Sequence, residues 1–308
     1  MPGGARHHPG SLSPVSAVRA LVYEHVAVVH DGPGDLARQV TGRLRDAIVA
    51  GDRVLACLDD DAWVQLATGL GPLAGEVSVL PQGTRYATPG RAMAALHRFV
   101  DDALAGGAPA AWSIGTLPLD GSDDDGRWWR YEAAVDEVLS HRPLHAICTF
   151  DTREVTPACL DVAVHVHGHE ARPGAATAAR VPVERGAPAV ELTVDSIATA
   201  RAEVAATCGR GLAPSRLDEL NLVVSELVTN AVRYGASPVV VRGWQAPDEV
   251  VVEVSDAGAG IADPYPELRA PHGGAQGGFG LWLVGQLAHE LTFGTSHGRT
   301  VVTASLRS

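Results

Sequence analysis

Glu226, Asn230 and Asp256, with glycines at 258, 260, 278 and 280, offer the clearest chemistry in this chain. Glu226 and Asn230 fall in a run with helical periodicity. A turn of about 100° per residue puts them on one narrow face together with Arg233. A proton acceptor, a metal-ligating amide and a cation can therefore share one mouth. Asp256 precedes Ala257-Gly258-Ala259-Gly260, where glycines permit positive φ and close approach of the main chain. A flat heterocycle lying there could give an exocyclic amine, such as that of adenine, to the Asp256 carboxylate. Gly278-Phe279-Gly280 opens a further helical run, and unpaired N–H groups at a helix start favour an anion such as phosphate. Each feature alone is commonplace: a solvated helix face, a turn after a strand, a glycine hinge.

Regular elements must hold these residues in place. Leu217, Leu220, Val224, Leu227, Val228 and Ala231 fill the opposite side of the Glu226 helix and predict a core stripe between Leu217 and Tyr234. Pro238 to Trp244 and Glu249 to Ser255 are β-rich runs separated by a turn with Pro247 and Asp248, so a strand delivers Asp256. Leu281-Trp282-Leu283-Val284 and Leu287 predict a helix after the second glycine cluster, His272 to Gly280. Gly298-Arg299-Thr300 leads into a last strand, Val301 to Leu306.

The order Glu-x-x-x-Asn, Asp-x-Gly-x-Gly, Gly-x-Gly-Leu, closed by Gly298-Arg299-Thr300, resembles the GHKL superfamily of ATPases and kinases. Glu226-Leu-Val-Thr-Asn230-Ala-Val-Arg233-Tyr234-Gly235 and Gly278-Phe-Gly280-Leu-Trp-Leu-Val look most like the bacterial anti-sigma-factor serine kinases. The resemblance implies a Bergerat-type α/β sandwich over residues 190–308 that binds ATP and Mg²⁺. On it, Asn230 holds the metal and Asp256 takes the adenine amine. Gly258 and Gly260 shape the base pocket, and Thr300 lies beside Asp256. Gly278, Gly280 and Leu281 belong to the phosphate segment, Arg233 shares the mouth, and Glu226 orients or deprotonates the attacking nucleophile. Such a division suits phosphoryl transfer, which needs positioning and charge neutralisation more than covalent help. Two positions depart from the family pattern: Tyr234, where histidine is frequent, and Phe279, where a basic residue is frequent.

Composition removes competing chemistries. All 24 basic residues are arginine, so the lysine of a P-loop NTPase, the strand lysine of a eukaryote-type protein kinase and the amine of a Schiff-base enzyme are missing. A net charge of −12 over 308 residues, without a basic stripe, argues against direct binding of nucleic acid. The four cysteines lack CxxC spacing and predict reduced thiols. No apolar run approaches the ~18 residues that would suggest a membrane span, so a cytoplasmic protein is expected. Residues 1–19 read as a disordered leader.

Residues 20–170 alternate strand and helix patterns. The strands are Val26–His30, Arg53–Leu58, Val77–Leu80, Ala111–Leu117 and His145–Phe150. Helical patterns lie near 35–50, 61–70, 90–106, 129–141 and 157–167. That alternation predicts a largely parallel sheet with helices on both faces. Residues 171–189, rich in Pro, Gly and Ala, read as a linker. Glu24-His25-Val-Ala-Val-Val-His30-Asp31, Leu36 to Asp52, Trp128-Trp-Arg-Tyr-Glu132 and Cys148-Thr-Phe-Asp151-Thr-Arg153 resemble the MEDS sensory domain that precedes anti-sigma ATPase modules. The resemblance implies a RecA-like, mostly parallel α/β fold without a phosphate loop. The fold class expected for the whole chain is thus α/β followed by α+β.

His165-Val-His167-Gly-His169, with His145 and Cys148, suggests a metal site. A helix over Pro157–Val166 would scatter the imidazoles, and a solvated helix end is the expectation. His25 and His30 are expected as satisfied structural histidines, Trp128, Trp129 and Tyr131 as core, and Asp123 to Asp125 as a solvated loop.

The resulting expectation is a signalling regulator: an ATP-binding anti-sigma factor and serine kinase that phosphorylates an anti-anti-sigma (STAS) partner under control of the sensory half. A sigma factor would be a second partner, and a homodimer is left open. The alternatives are a histidine-kinase-like sensor, opposed by a linker too short and proline-rich for a dimerising hairpin, and a non-catalytic, ATP-gated binding module.

Overall fold

The structure is a computed structural model and describes residues 23–119, 125–167, 186–271 and 278–307. The expected leader, most of the linker, Asp123, Asp124, His169 and residues 272–277 lie outside these. No helix among the described residues is long and apolar enough to cross a membrane.

The first half runs β1 (Glu24–His30), α1 (Pro33–Val49), β2 (Arg53–Cys57), α2 (Asp60–Leu70), β3 (Val77–Val79), α3 (Gln82–Arg85), α4 (Pro89–Ala105), β4 (Ala111–Thr116), α5 (Asp125–Leu139), β5 (Leu144–Asp151) and α6 (Pro157–His167). Its five strands form a sheet in the order β1-β5-β4-β2-β3, with every pairing parallel. Strand alternation splits the core in two. Val54, Ala56, Trp112, Ile114 and Ile147 pack under α1 and α2, whereas Ala146, Phe150 and Cys148 pack with Met93, Leu96, Trp128 and Val135 from α4 and α5. Helices thus cover both faces, as the alternating pattern requires. Trp128 and Tyr131 are buried in the second core, with Trp129 packed against it.

The second half runs β6 (Val190–Thr193), α7 (Ile197–Cys208), α8 (Pro214–Tyr234), β7 (Val240–Gln245), β8 (Glu249–Asp256), α9 (Phe279–Leu287), β9 (Glu290–Ser296) and β10 (Arg299–Arg307). An antiparallel sheet in the order β6-β7-β8-β10-β9 packs one face against the three helices. Helix α8 begins with Pro214, suited to a first turn. Its stripe of Leu220, Val223, Val224, Leu227, Val228 and Ala231 is buried against Val241, Val252, Val254 and Ala304 of the sheet.

The two halves touch through α4 and α9. A methyl group on Gly90 would lie 2.2 Å from the Gly285 carbonyl oxygen, so the helices cross backbone to backbone. Thr88 caps α4 by accepting from Arg91 N, and the Arg91 Nε donates to Gln286 O at 2.9 Å. From α5, Arg130 Nε donates to Glu267 Oε1 at 2.9 Å, and Arg127 lies against the His289 imidazole. Tyr265 and Leu268 of the second half are buried in the core cluster of the first.

Candidate functional site

The cleft of the second half lies between the C-terminal end of α8 and the ends of β8 and β10. Leu227, Asn230, Ala231, Tyr234 and Gly235 come from α8 and its end, and Asp256, Gly258, Gly260, Ile261 and Thr300 from the strands and the loop after β8. Counting the open solvent at its mouth, the cleft takes in about 370 Å³. The buried stripe of α8 faces the sheet and thereby turns Asn230 toward the cleft. The β8–β10 register sets Thr300 directly opposite Asp256, so these two side chains belong to one wall.

Asp256 is held by its surroundings. It is buried, and its Oδ1 accepts from Gly258 N at 2.6 Å and Ala236 N at 3.2 Å. That leaves Oδ2 to a ligand amine. Glycine is required around it: a Cβ at Gly235 would lie 2.3 Å from Asp256 Oδ1, and one at Gly258 2.6 Å from the same atom. Gly260, at φ +98°, adopts the left-handed backbone that favours glycine. Gly258 earns its place by space rather than by positive φ. Thr300 Oγ1 donates to Gly258 O at 3.1 Å and fixes the loop from the other side.

The remaining expected residues sit at the start of α9. Gly278 takes a left-handed N-cap conformation, φ 92°, with no side-chain cap, so the first N–H groups of α9 are left for an anion. A Cβ on Gly280 would approach Glu226 Oε2 to 2.7 Å, which puts the Glu226 carboxylate beside this helix start. The Leu281 side chain is buried in the core of the sandwich and leaves only its backbone for a ligand. Arg233 is exposed, its guanidinium 5.6 Å from the Tyr234 ring, and it does not line the cleft. Tyr234 itself does, where the family pattern frequently has histidine.

This donor set fits a nucleotide: a carboxylate oxygen left for a base amine, a cradle where side chains would clash, and an uncapped helix start beside an acid. Comparison with known families agrees. Residues 24–168 match the family model described as MEDS, the methanogen/methylotroph, DcmR sensory domain. Residues 190–306 match that of the histidine kinase-like ATPase domain. The chain joins a MEDS domain to a histidine-kinase-like ATPase domain. Among solved structures, the histidine kinase domain of the E. coli osmosensor EnvZ is similar at 19% identity. That match covers 40% of this chain and 91% of that one, with a TM-score of 0.23. No curated protein matched the chain. The ATPase domain implies ATP as ligand and a kinase-like, regulatory use of it.

The histidines of the MEDS domain depart from the sequence expectation. His145 and Cys148 lie on opposite faces of β5. His145 stacks on Trp112, with ring centroids 4.1 Å apart, and its Nδ1 is 3.0 Å from Glu24 Oε2. His165 is exposed, as a helix end predicts, but His167 turns inward, with Nε2 3.0 Å from Glu132 Oε2. The helix does scatter the pair, and its scatter delivers one imidazole to the core. His25 is likewise buried and meets Cys148 and Glu132. His30 Nδ1 rests 3.1 Å from Gly32 O, a structural contact as expected.

Proposed function

We propose that this MEDS–ATPase chain is a cytoplasmic anti-sigma factor and serine kinase whose substrate is an anti-anti-sigma protein of the STAS type. The observation that carries the reading is the Glu226 carboxylate beside Gly280, at the helix start suited to phosphate. Bound ATP with Mg²⁺ supplies the phosphoryl group, and the residues that would hold them are Asp256, Thr300 and the glycines on the base side, Asn230 on the metal and the α9 N-terminus on the phosphates. Glu226 accepts the proton of the acceptor hydroxyl and orients it. Phosphorylated, the STAS partner would release the sequestering surface, and the sigma factor would stay bound.

The test is incubation of the full chain with ATP, Mg²⁺ and a STAS protein, followed by phosphopeptide mapping. Phosphoserine on the partner supports the reading. Acid-labile phosphohistidine on this chain would favour a histidine kinase instead.

A second reading draws on the mouth of the cleft, where Tyr234 and Phe279 are each 60% exposed. There ATP would set only the shape of a partner-binding surface. Equal partner binding with a non-hydrolysable analogue, and no transfer with ATP, would favour it.

A further inference from the structure

Inside the MEDS domain four side chains from four elements converge: His25 of β1, Glu132 of α5, Cys148 of β5 and His167 of α6. One ligand-capable atom from each lies within 4.8 Å of all the others. We propose that these four residues form a tetrahedral N₂SO binding site for a divalent ion of the zinc class.

Distances carry the first part of the argument. His25 Nε2 is 3.3 Å from Cys148 Sγ and 3.3 Å from Glu132 Oε2. Cys148 Sγ is 3.3 Å from Glu132 Oε1, and His167 Nε2 is 3.0 Å from Glu132 Oε2. Tetrahedral zinc with its usual bond lengths sets neighbouring N, O and S ligands about 3.3–3.6 Å apart. These contacts already lie near those separations, and no two of the four donor atoms are more than 4.8 Å apart, so side-chain rotation suffices to seat an ion.

Tautomers carry the second part. His167 Nδ1 faces the Ala163 carbonyl oxygen at 2.8 Å, and a carbonyl only accepts, so the proton is on Nδ1. His25 Nδ1 faces Asp136 Oδ1 at 3.2 Å. Each ring is thus anchored at Nδ1 by an acceptor and presents Nε2 to the centre, the outer-shell arrangement that orients metal-ligating histidines. In the neutral ring the Nε2 lone pair of His167 then points at a carboxylate that is fully buried. Neither Nε2 of His167 nor Oε2 of Glu132 has an aligned hydrogen bond. Lone pair against carboxylate is repulsive in a dry core unless a cation lies between them. One divalent ion satisfies all four donors.

Access is short, because the Asp136 side chain behind His25 is 42% exposed.

The test uses the full chain, stripped with a chelator and titrated with Co²⁺ and with Zn²⁺ against a chromogenic competitor. Expected are one ion per chain and a four-coordinate Co²⁺ spectrum with thiolate-to-cobalt charge transfer. Cys148→Ser should abolish that band and weaken Zn²⁺, whereas His165→Ala, exposed on the same helix, should change neither. Asp136→Asn keeps all four ligands and should weaken Zn²⁺ about ten- to a hundredfold, a readout that does not depend on whether the ligand variant folds. A wild-type chain that takes up no stoichiometric ion, or shows no thiolate band, would overturn the proposal, as would undiminished binding in both Cys148→Ser and Asp136→Asn.

Discussion

Gly90 and Gly285 meet without side chains between them: a methyl on the first would sit 2.2 Å from the carbonyl oxygen and 2.3 Å from the carbonyl carbon of the second. Both obstacles are backbone and cannot rotate away. The crossing therefore tolerates only glycine at position 90, and it lies on α9, the helix whose start sits beside Glu226. Gly90→Ala should separate the helices and destabilise the chain by about 1–3 kcal/mol, the usual cost of overpacking. A larger radius of gyration in solution scattering and a lower Tm are expected; if both stay at the wild-type value, the helices do not cross here.

Glu226→Gln preserves shape and removes the proton acceptor. Nucleotide affinity should stay within about twofold, and transfer to a serine acceptor should fall by about 10²–10⁴-fold, the span of general-base catalysis. Parallel ATP titration and phosphotransfer assays check this. A variant that transfers at the wild-type rate would leave Glu226 without the assigned role.

Asp256→Asn keeps an oxygen for Gly258 N and Ala236 N, so the loop should hold. The group offered to the base amine loses its charge and can become a donor. A charge-assisted hydrogen bond contributes about 1.5–3 kcal/mol, so ATP affinity should drop about ten- to a hundredfold, with weaker discrimination against GTP. Calorimetry with both nucleotides measures it; unchanged ATP binding would mean that the base lies elsewhere.

Glu267 gives the domain contact a pH dependence. Burial raises its carboxyl above the usual range, and Arg130 offsets only part of that. Between the unfolded value, about 4.3, and the raised folded one, the native chain holds the extra proton. Its contribution is present in acid and is lost as pH rises through the folded pKa. Relative to Glu267→Gln, wild-type Tm should therefore decline across that window; parallel Tm–pH curves would refute the assignment.

Much of the ATPase half was legible because its signals are local. The α8 stripe recurs within a few residues, and Asp256 ends a Val-rich strand. Less was legible where packing decides. Strand β6 alternates over only four residues, Val190 to Thr193, and β9 is only partly buried, so both signals are weak. Helix α7 is alanine-rich all round and lacks a stripe to announce it. Arg233 fell on the right helical face by angle, but that face extends past the cleft edge at Tyr234. The MEDS cluster joins residues from His25 in the first strand to His167 in the last helix of that half, and no spacing motif spans four elements. Grouping His145 with Cys148 failed because an odd offset on a strand reverses the face.

Helix α5 bears two loads. Glu132 and Asp136 face the buried histidines, while Arg127 and Arg130 of the same helix reach His289, Glu267 and the Pro264 carbonyl oxygen across the domain boundary. A helix is stiff along its axis, so a tug on Glu132 acts as on one arm of a rocker whose other arm rests on the ATPase half. These contacts run through α5 itself, so two separately produced polypeptides, one for each half, should still dock through Arg127 and Arg130.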